Sequence, residues 1–271
     1  MNGYVNNFKK YKGLLWELVK KGIKLKYRRS YLGIIWTLLE PVLTTAVLVV
    51  VFQNLFNKDN VHGVAFAMYI LSGRLLYTCF SSSTNTALKS IRANSGLIKK
   101  VYVPKYLYPL SGILFNFIFF SISLVVLMFG FFIFKVKPTW HILEGFIPLI
   151  LLFLLVLGVG MILSTVAVFF RDMEYLWNVG LMLIMYASAI FYDAEKIFAN
   201  AAKNNTEYIT YLFKFNPLYG IISNFRKTVL YGEGIDYASK SFLLTVAMCV
   251  TSVVIGFYVF YKKQDDFILH I

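Results

Sequence analysis

The chain has 271 residues, of which 59% are hydrophobic and 15% are charged, and its formal net charge is +14 at pH 7. This composition excludes a soluble domain and indicates a membrane protein. The basic residues flank apolar runs, which argues against nucleic-acid binding and follows the excess of Lys and Arg on the cytoplasmic side of membrane proteins. Cys79 and Cys249 lie inside apolar stretches and predict no disulfide.

The N-terminal residues predict an amphipathic helix at the membrane surface. Apolar side chains follow a helical spacing of three and four residues at Tyr4, Phe8, Tyr11, Leu15 and Leu18. Lysines project from the opposite face, where they meet anionic lipid headgroups. This pattern is typical of a helix that lies in the membrane interface, and we assign it residues 4–29.

Hydropathy predicts six transmembrane spans of about 20 residues each. The predicted spans cover residues 33–56, 64–83, 108–134, 146–170, 175–192 and 242–261. An even number places both termini on the same side of the membrane. That side carries most of the basic residues, which predicts cytoplasmic termini.

The cytoplasmic connection at residues 84–109 is longer than a simple connector needs. It reads as a polar helical segment, a break at Asn94-Ser95-Gly96 and a short basic helix that stops before Pro104. Two interpretations stay open. The connection binds lipid headgroups or, as we favour, it docks on a cytoplasmic partner.

The external connection contains an amphipathic run at residues 211–230 that is broken at Asn216-Pro217. The run is too short and too polar to span the membrane, so it predicts a pair of interfacial or re-entrant helices. The basic residues of this connection, Arg226 among them, are balanced by neighbouring acidic residues.

The sequence contains no motif of a catalytic site. It lacks the phosphate-binding G-x-x-x-x-G-K-[ST] loop, the G-x-S-x-G elbow and the H-E-x-x-H zinc motif. The three histidines are too scattered for a metal site. The acids Asp172 and Glu174 are expected to pair with Arg171. We therefore expect no catalytic residue and no metal on this chain.

Two ionisable residues, Glu40 and Arg74, fall inside predicted spans at a similar depth, about 10 Å from the cytoplasmic boundary. A charge at that depth is costly unless it is paired or hydrated. The sequence leaves three interpretations open. The two residues form an ion pair, one of them faces a hydrated cavity, or Arg74 contacts a substrate phosphate.

Four segments resemble the membrane subunit of type-2 ATP-binding-cassette (ABC) exporters of polysaccharides, the family of teichoic-acid, O-antigen and capsule permeases. They are LKYRRSYLGIIWTLLEPVL at 25–43, SIRANSGLIKKVYVPKYLYPLS at 90–111, FFRDMEYLW at 169–177 and FNPLYGI at 215–221. One departure is the sequence Gly73-Arg74, because many members of that family have Pro-Trp shortly after the glycine. An intramembrane arginine is added here.

The resemblance implies an all-α membrane protein with one permease domain, residues 1–271, and six transmembrane helices. It implies that residues 4–29 form the interface helix and that residues 85–107 contain a cytoplasmic coupling helix. It further implies external re-entrant helices at 211–230, within an external region at 193–238.

The resemblance also implies a function. Two copies of the chain would form a homodimer in the plasma membrane, and each would bind a separate ATPase that holds ATP and Mg²⁺. The exported cargo would be teichoic acid, O-antigen or another cell-wall polysaccharide on an undecaprenyl-diphosphate-type lipid. The alternative is a small-molecule or lipid exporter of the same fold. A membrane-bound enzyme and a structural scaffold are the rival classes, and the former lacks clustered acids or histidines.

Three sets of site residues accompany this resemblance. The residues implied to line the channel, on the first and fifth spans, are Trp36, Phe52, Trp177, Met185 and Tyr192. The residues implied to contact the ATPase are Lys89, Arg92, Lys99, Lys100 and Lys105. The candidates for capture of the lipid diphosphate are Arg28 and Arg29, for which simple headgroup anchoring is the alternative.

Overall fold

The computed structural model describes residues 2–28, 30–56, 60–195, 197–198 and 208–270, which form a bundle of helices. In chain order the elements are α1 (Asn2–Lys26), α2 (Trp36–Phe56), β1 (Asn60–Val61), β2 (Val64–Ala65), α3 (Phe66–Ala93), α4 (Ser95–Ile98), α5 (Leu107–Ile133), α6 (Phe146–Phe169), α7 (Met173–Ala187), α8 (Tyr208–Lys214), α9 (Pro217–Arg226), α10 (Lys240–Lys263) and α11 (Phe267–His270). The two short strands pair as an antiparallel hairpin. A π-helical turn, Lys227–Tyr231, follows α9.

Within the described residues, four helical stretches are long and apolar enough to cross a membrane. They are Gly33–Phe52, Leu107–Ile133, Trp140–Phe169 and Lys240–His270, and they match the predicted first, third, fourth and sixth spans. The other two predicted spans correspond to α3 and α7. Helix α3 is largely enclosed by protein, which relaxes the need for apolar residues. Helix α7 has 15 residues, about 22 Å at 1.5 Å per residue. The count of six spans stays a prediction.

Helix α6 forms the centre of the bundle and packs against α3 and α10. Gly158 of α6 faces Gly256 of α10, where a side chain on either glycine would overlap the backbone of the other helix. Helix α1 lies along α5 and buries Leu15 and Val19. The predicted helix at 4–29 is therefore present up to Lys26, and the side chains of residues 2–9 lie outside the described part.

Pro41 inside α2 creates an acceptor for a contact with another helix. Because proline has no N–H, the carbonyl of Thr37 loses its intrahelical donor. The Ser123 hydroxyl of α5 donates to that carbonyl at 3.1 Å. The Tyr27 and Thr37 hydroxyls lie 2.6 Å apart and connect the end of α1 to α2.

The connection after α3 differs in part from the prediction. Helix α3 runs without interruption to Ala93, so the polar segment predicted after residue 84 is its last turns. The predicted break is present at Asn94, whose side-chain amide donates to the Ser90 carbonyl at 2.8 Å. The predicted basic helix is absent from this described segment. In its place a single helical turn without basic residues, α4, begins at Ser95 inside the predicted break, and the buried Ile98 anchors it to the bundle.

The break predicted at Asn216-Pro217 is also present. Helix α8 ends before it, and Asn216 caps α9 by accepting from the Leu218 N–H at 3.0 Å. Pro217 occupies the first position of α9, where a missing N–H costs nothing. Helix α9 packs against α3, α6 and α10, so it lies within the bundle.

Candidate functional site

A polar cavity of about 70 Å³ lies between the end of α1 and helices α2, α3 and α5. Its wall contains three charged residues, Lys26, Glu40 and Arg74. Hydroxyl and amide groups line much of the rest, from Thr37, Thr44, Thr78, Ser82, Asn116 and Ser123, and the other lining residues are apolar. Polar groups concentrated at membrane depth are costly and mark substrate paths or structural pairs.

Within the described residues, no ion pair joins Arg74 to Glu40. The Arg74 guanidinium instead lies 4.0 Å from the sulfur of Met185 on α7. Both charged residues line the same cavity, so the geometry favours the interpretation in which they face a hydrated space. Arg74 thus stands between α2 and α7, the two helices implied to line the channel.

Lys26 supplies the second cation of this cavity. Its ammonium group lies 4.2 Å from the centre of the Phe119 ring. Partial burial lowers the pKa of Lys26 below its ordinary value, and the nearby Glu40 carboxylate opposes that shift. The cavity therefore holds two basic groups and one acidic group, an excess of positive charge that suits an anion.

Arg28 is exposed at the end of α1. It borders a groove along α1 that also contains Glu17, Lys20, Lys21 and Lys24. Arg29, the other predicted capture residue, lies outside the described residues. Most of the side chains that line this groove are basic.

Trp177 and Leu181 of α7 face their own bundle. The Trp177 indole N–H donates to the Thr84 hydroxyl at 3.2 Å, and the Tyr77 hydroxyl donates to the Leu181 carbonyl at 3.0 Å. Helical spacing shows which side chains share a face. It does not show which element packs against that face. The exposed face of α7 carries Tyr175, Leu176, Val179, Met182, Leu183 and Tyr186.

The five predicted lining residues do not lie on one surface of the single chain. Trp36 is exposed at the start of α2, whereas Phe52 stacks on Phe191 with ring centres 5.1 Å apart. Trp177 and Tyr192 line a second, mainly apolar cavity of about 1120 Å³. Met185 borders Arg74.

The residues predicted to contact an ATPase divide into three groups. Arg92 forms an ion pair with Glu174 at the start of α7, and Lys89 lies 3.7 Å from the same carboxylate. Lys105 donates to the Gln264 carbonyl at 2.5 Å. Lys99 and Lys100 are exposed beside α4.

The expected pairing of Glu174 with Arg171 is wrong. The last turns of α3 and the first turn of α7 lie side by side, so Glu174 meets cations that are 82 and 85 residues earlier in the chain. These contacts join the end of α3, directly before α4, to the start of α7.

Sequence reasoning missed Arg226, which it counted among the charges of the external connection. Its side chain is buried, and its guanidinium lies 3.5 Å from the centre of the Tyr69 ring. It donates to the carbonyls of Ala189 and Tyr69, each at 2.9 Å, and to that of Ile190 at 3.3 Å. One signal was available, because Arg226 follows Ile222 by four residues and therefore lies on the apolar face of α9.

Comparison with known proteins places this chain in a family. Residues 13–230 match the ABC-2 type transporter family. The chain is 28% identical over 256 residues to the O-antigen export system permease protein RfbA of Klebsiella pneumoniae, covering 94% of this chain and 93% of that protein. It is 25% identical over 266 residues to the protein of the same name from Myxococcus xanthus, covering 97% of each. It is 22% identical over 246 residues to the polysialic acid transport protein KpsM of Escherichia coli, covering 89% and 90%.

Proposed function

The chain belongs to the ABC-2 type transporter family, and from this premise we propose that it is the permease subunit of an ATP-driven exporter of lipid-linked polysaccharide. The observation that carries the proposal is the extent of the similarity to O-antigen permeases, which covers 94% of this chain. The similarity extends over nearly the whole chain and is not confined to one motif. O-antigen and capsule polymers are the cargo classes that the relatives' names support, and teichoic acid is the third member of this class.

The sequence lacks a phosphate-binding loop, so the energy has to come from a partner. We propose a homodimer that carries two ATPase subunits, with ATP and Mg²⁺ held by those subunits. The termini and α4 would face the cytoplasm, and α4 would be the coupling helix. Helix α1 would lie in the membrane interface, and α8 and α9 would form the re-entrant pair on the opposite side of the plasma membrane.

The cavity at Lys26, Glu40 and Arg74 supports a role in handling an anionic headgroup. A lipid diphosphate would reach the protein along the inner leaflet, where the basic groove of α1 attracts it. Arg74 then offers a guanidinium with several donors, which matches phosphate geometry. Hydroxyl and amide groups add further polarity to the wall around it.

Export in the native host tests the proposal. Deletion of the gene should remove the surface polysaccharide and leave lipid-linked polymer inside the cell, and the wild-type gene should restore export. The Arg74→Ala variant should insert normally but restore little export, whereas Arg74→Lys should restore part of it. The matched control is Arg171→Ala, which removes an exposed arginine and should complement fully. Unchanged surface polysaccharide after deletion would exclude the proposed function.

A second candidate is export of a small lipid by the same fold. The observation in its favour is the apolar cavity of about 1120 Å³ beside Trp177 and Tyr192, which is large enough for an acyl chain. Loss of a secreted lipid after gene deletion, with surface polysaccharide intact, would favour this candidate.

A further inference from the structure

We propose that His62, Asp193 and Glu195 form a binding site for a divalent transition-metal ion, with Zn²⁺ as the ion that fits the donor atoms best. His62 lies in the turn between β1 and β2, and the two acids follow the end of α7. From the sequence, the three histidines were expected to lie too far apart for a metal site. That prediction considered distance along the chain, and the fold brings His62 beside two carboxylates more than a hundred residues later.

The distances between His62 and the two acids leave room for a metal ion. The His62 Nε2 atom lies 3.5 Å from Asp193 Oδ1 and 3.8 Å from Glu195 Oε2. Both values exceed the range of a good hydrogen bond, about 2.7–3.2 Å. Two ligands of a tetrahedral Zn²⁺, each about 2.0–2.1 Å from the ion, lie about 3.4 Å apart. The two distances lie within the range of an ion pair, about 4 Å, and the shorter one also comes close to the separation of two zinc ligands.

The local charge also favours a cation. The three ligand atoms all lie within 4.8 Å of one another, so two carboxylates converge on one imidazole. The Asp193 side chain is 10% exposed, which limits the screening of its charge by water. Arg226 interacts electrostatically with Asp193, but its guanidinium hydrogen bonds go to backbone carbonyls and not to either carboxylate. A divalent ion would neutralise both acids.

The surrounding contacts orient the donors. The His62 ring packs against Tyr231 with ring centres 5.3 Å apart, and Asp193 Oδ1 accepts the Glu195 N–H at 3.1 Å. Nitrogen and carboxylate oxygen ligands are those that Zn²⁺ takes in three-ligand sites, where water fills the fourth position. An ion held here would tie the β1–β2 hairpin to the turn that follows α7.

The test uses the full-length, tag-free protein in detergent, stripped with EDTA and dialysed against ZnCl₂. We expect one zinc per chain and a rise in the unfolding temperature of roughly 5 °C at about 100 times the dissociation constant. The isosteric variants Asp193→Asn and Glu195→Gln and the variant His62→Ala should each weaken zinc binding by at least about tenfold.

The matched control is His141→Ala. His141 also pairs with a carboxylate, Glu144 at 2.8 Å, but no third ligand is near it among the described residues. Zinc binding should be unchanged in this variant. Three results would overturn the proposal, namely no bound zinc in the wild type, equal binding after His62→Ala, or equal loss in the control. Because the readouts need no transport, they are independent of the proposed export function.

Discussion

The two ends of α7 are attached to α3 by opposite kinds of contact. At its start, Glu174 pairs with Arg92 and lies near Lys89, and all three side chains are partly exposed. After its end, the buried Arg226 and the Tyr69 hydroxyl donate to backbone carbonyls of the following turn. In the first contact, water can solvate each charged group in place of its partner. The second satisfies backbone carbonyls of a turn in which Ala189 and Ile190 are fully buried.

This difference assigns different roles to the two ends. A partly exposed ion pair contributes about 0–1 kcal/mol, so it breaks and re-forms at little cost. A buried cation that loses its partners costs far more. We therefore predict that the start of α7, next to the proposed coupling helix, is a releasable end and that the other end is a fixed pivot.

The largest effect is expected for Arg226→Ala. The substitution leaves the carbonyls of Ala189, Ile190 and Tyr69 without this donor, and we expect a loss of roughly 3–5 kcal/mol in the free energy of unfolding. Thermal unfolding of the purified protein in detergent measures it. Lys227→Ala, which removes the exposed neighbouring cation, serves as the control. Equal stability of the two variants would refute the pivot.

Gly73→Ala should disrupt the contact of Arg226 with α3 by steric overlap. A β-carbon at this position would collide with the Arg226 guanidinium, and we expect a loss of about 1–3 kcal/mol. Gly180→Ala is the control because its β-carbon would meet only Trp177 at 3.8 Å. It should gain up to about 1 kcal/mol from helix propensity. A stabilised Gly73→Ala variant would contradict the observed packing.

Tyr69→Phe removes one hydroxyl of the pivot and keeps the ring. That hydroxyl lies 2.8 Å from the Tyr192 carbonyl and 3.2 Å from the Ala189 carbonyl. We expect a loss of about 1 kcal/mol, because the Tyr192 carbonyl loses this donor while the Ala189 carbonyl keeps that of Arg226. Tyr211→Phe, at an exposed tyrosine, should change the unfolding temperature little. A similar loss in both variants would show that the Tyr69 hydroxyl makes no specific contribution to stability.

The smallest effect on stability is expected at the releasable end. Glu174→Gln should cost at most about 1 kcal/mol, yet it should reduce export while ATP hydrolysis by the assembled transporter continues. Export and ATPase activity measured in the same proteoliposomes separate the two. The paired variant Arg92→Glu/Glu174→Arg should recover part of the export. No recovery, or a parallel loss of both activities, would refute the link between α3 and α7.

Local pattern was enough to predict much of the fold. Hydropathy and charge indicated the membrane class, periodicity predicted α1, and the side-chain chemistry of Asn94 and Asn216-Pro217 predicted the two breaks. Local pattern failed to predict contacts between residues that are far apart in the chain. Glu174 was matched to its neighbour Arg171, and Arg226 was matched to nearby acids, because sequence shows only adjacent charges.

The sequence alone determined that this protein is an apolar, basic, helical membrane protein, because the lengths, periods and charges of its segments are local properties. Only the tertiary structure decided that Arg226 is buried, that His62 meets two acids and that Arg74 shares a cavity with Glu40 and Lys26. Those outcomes depend on which helix faces lie against each other. Periodicity determines which side chains share a face, and packing alone determines what that face contacts.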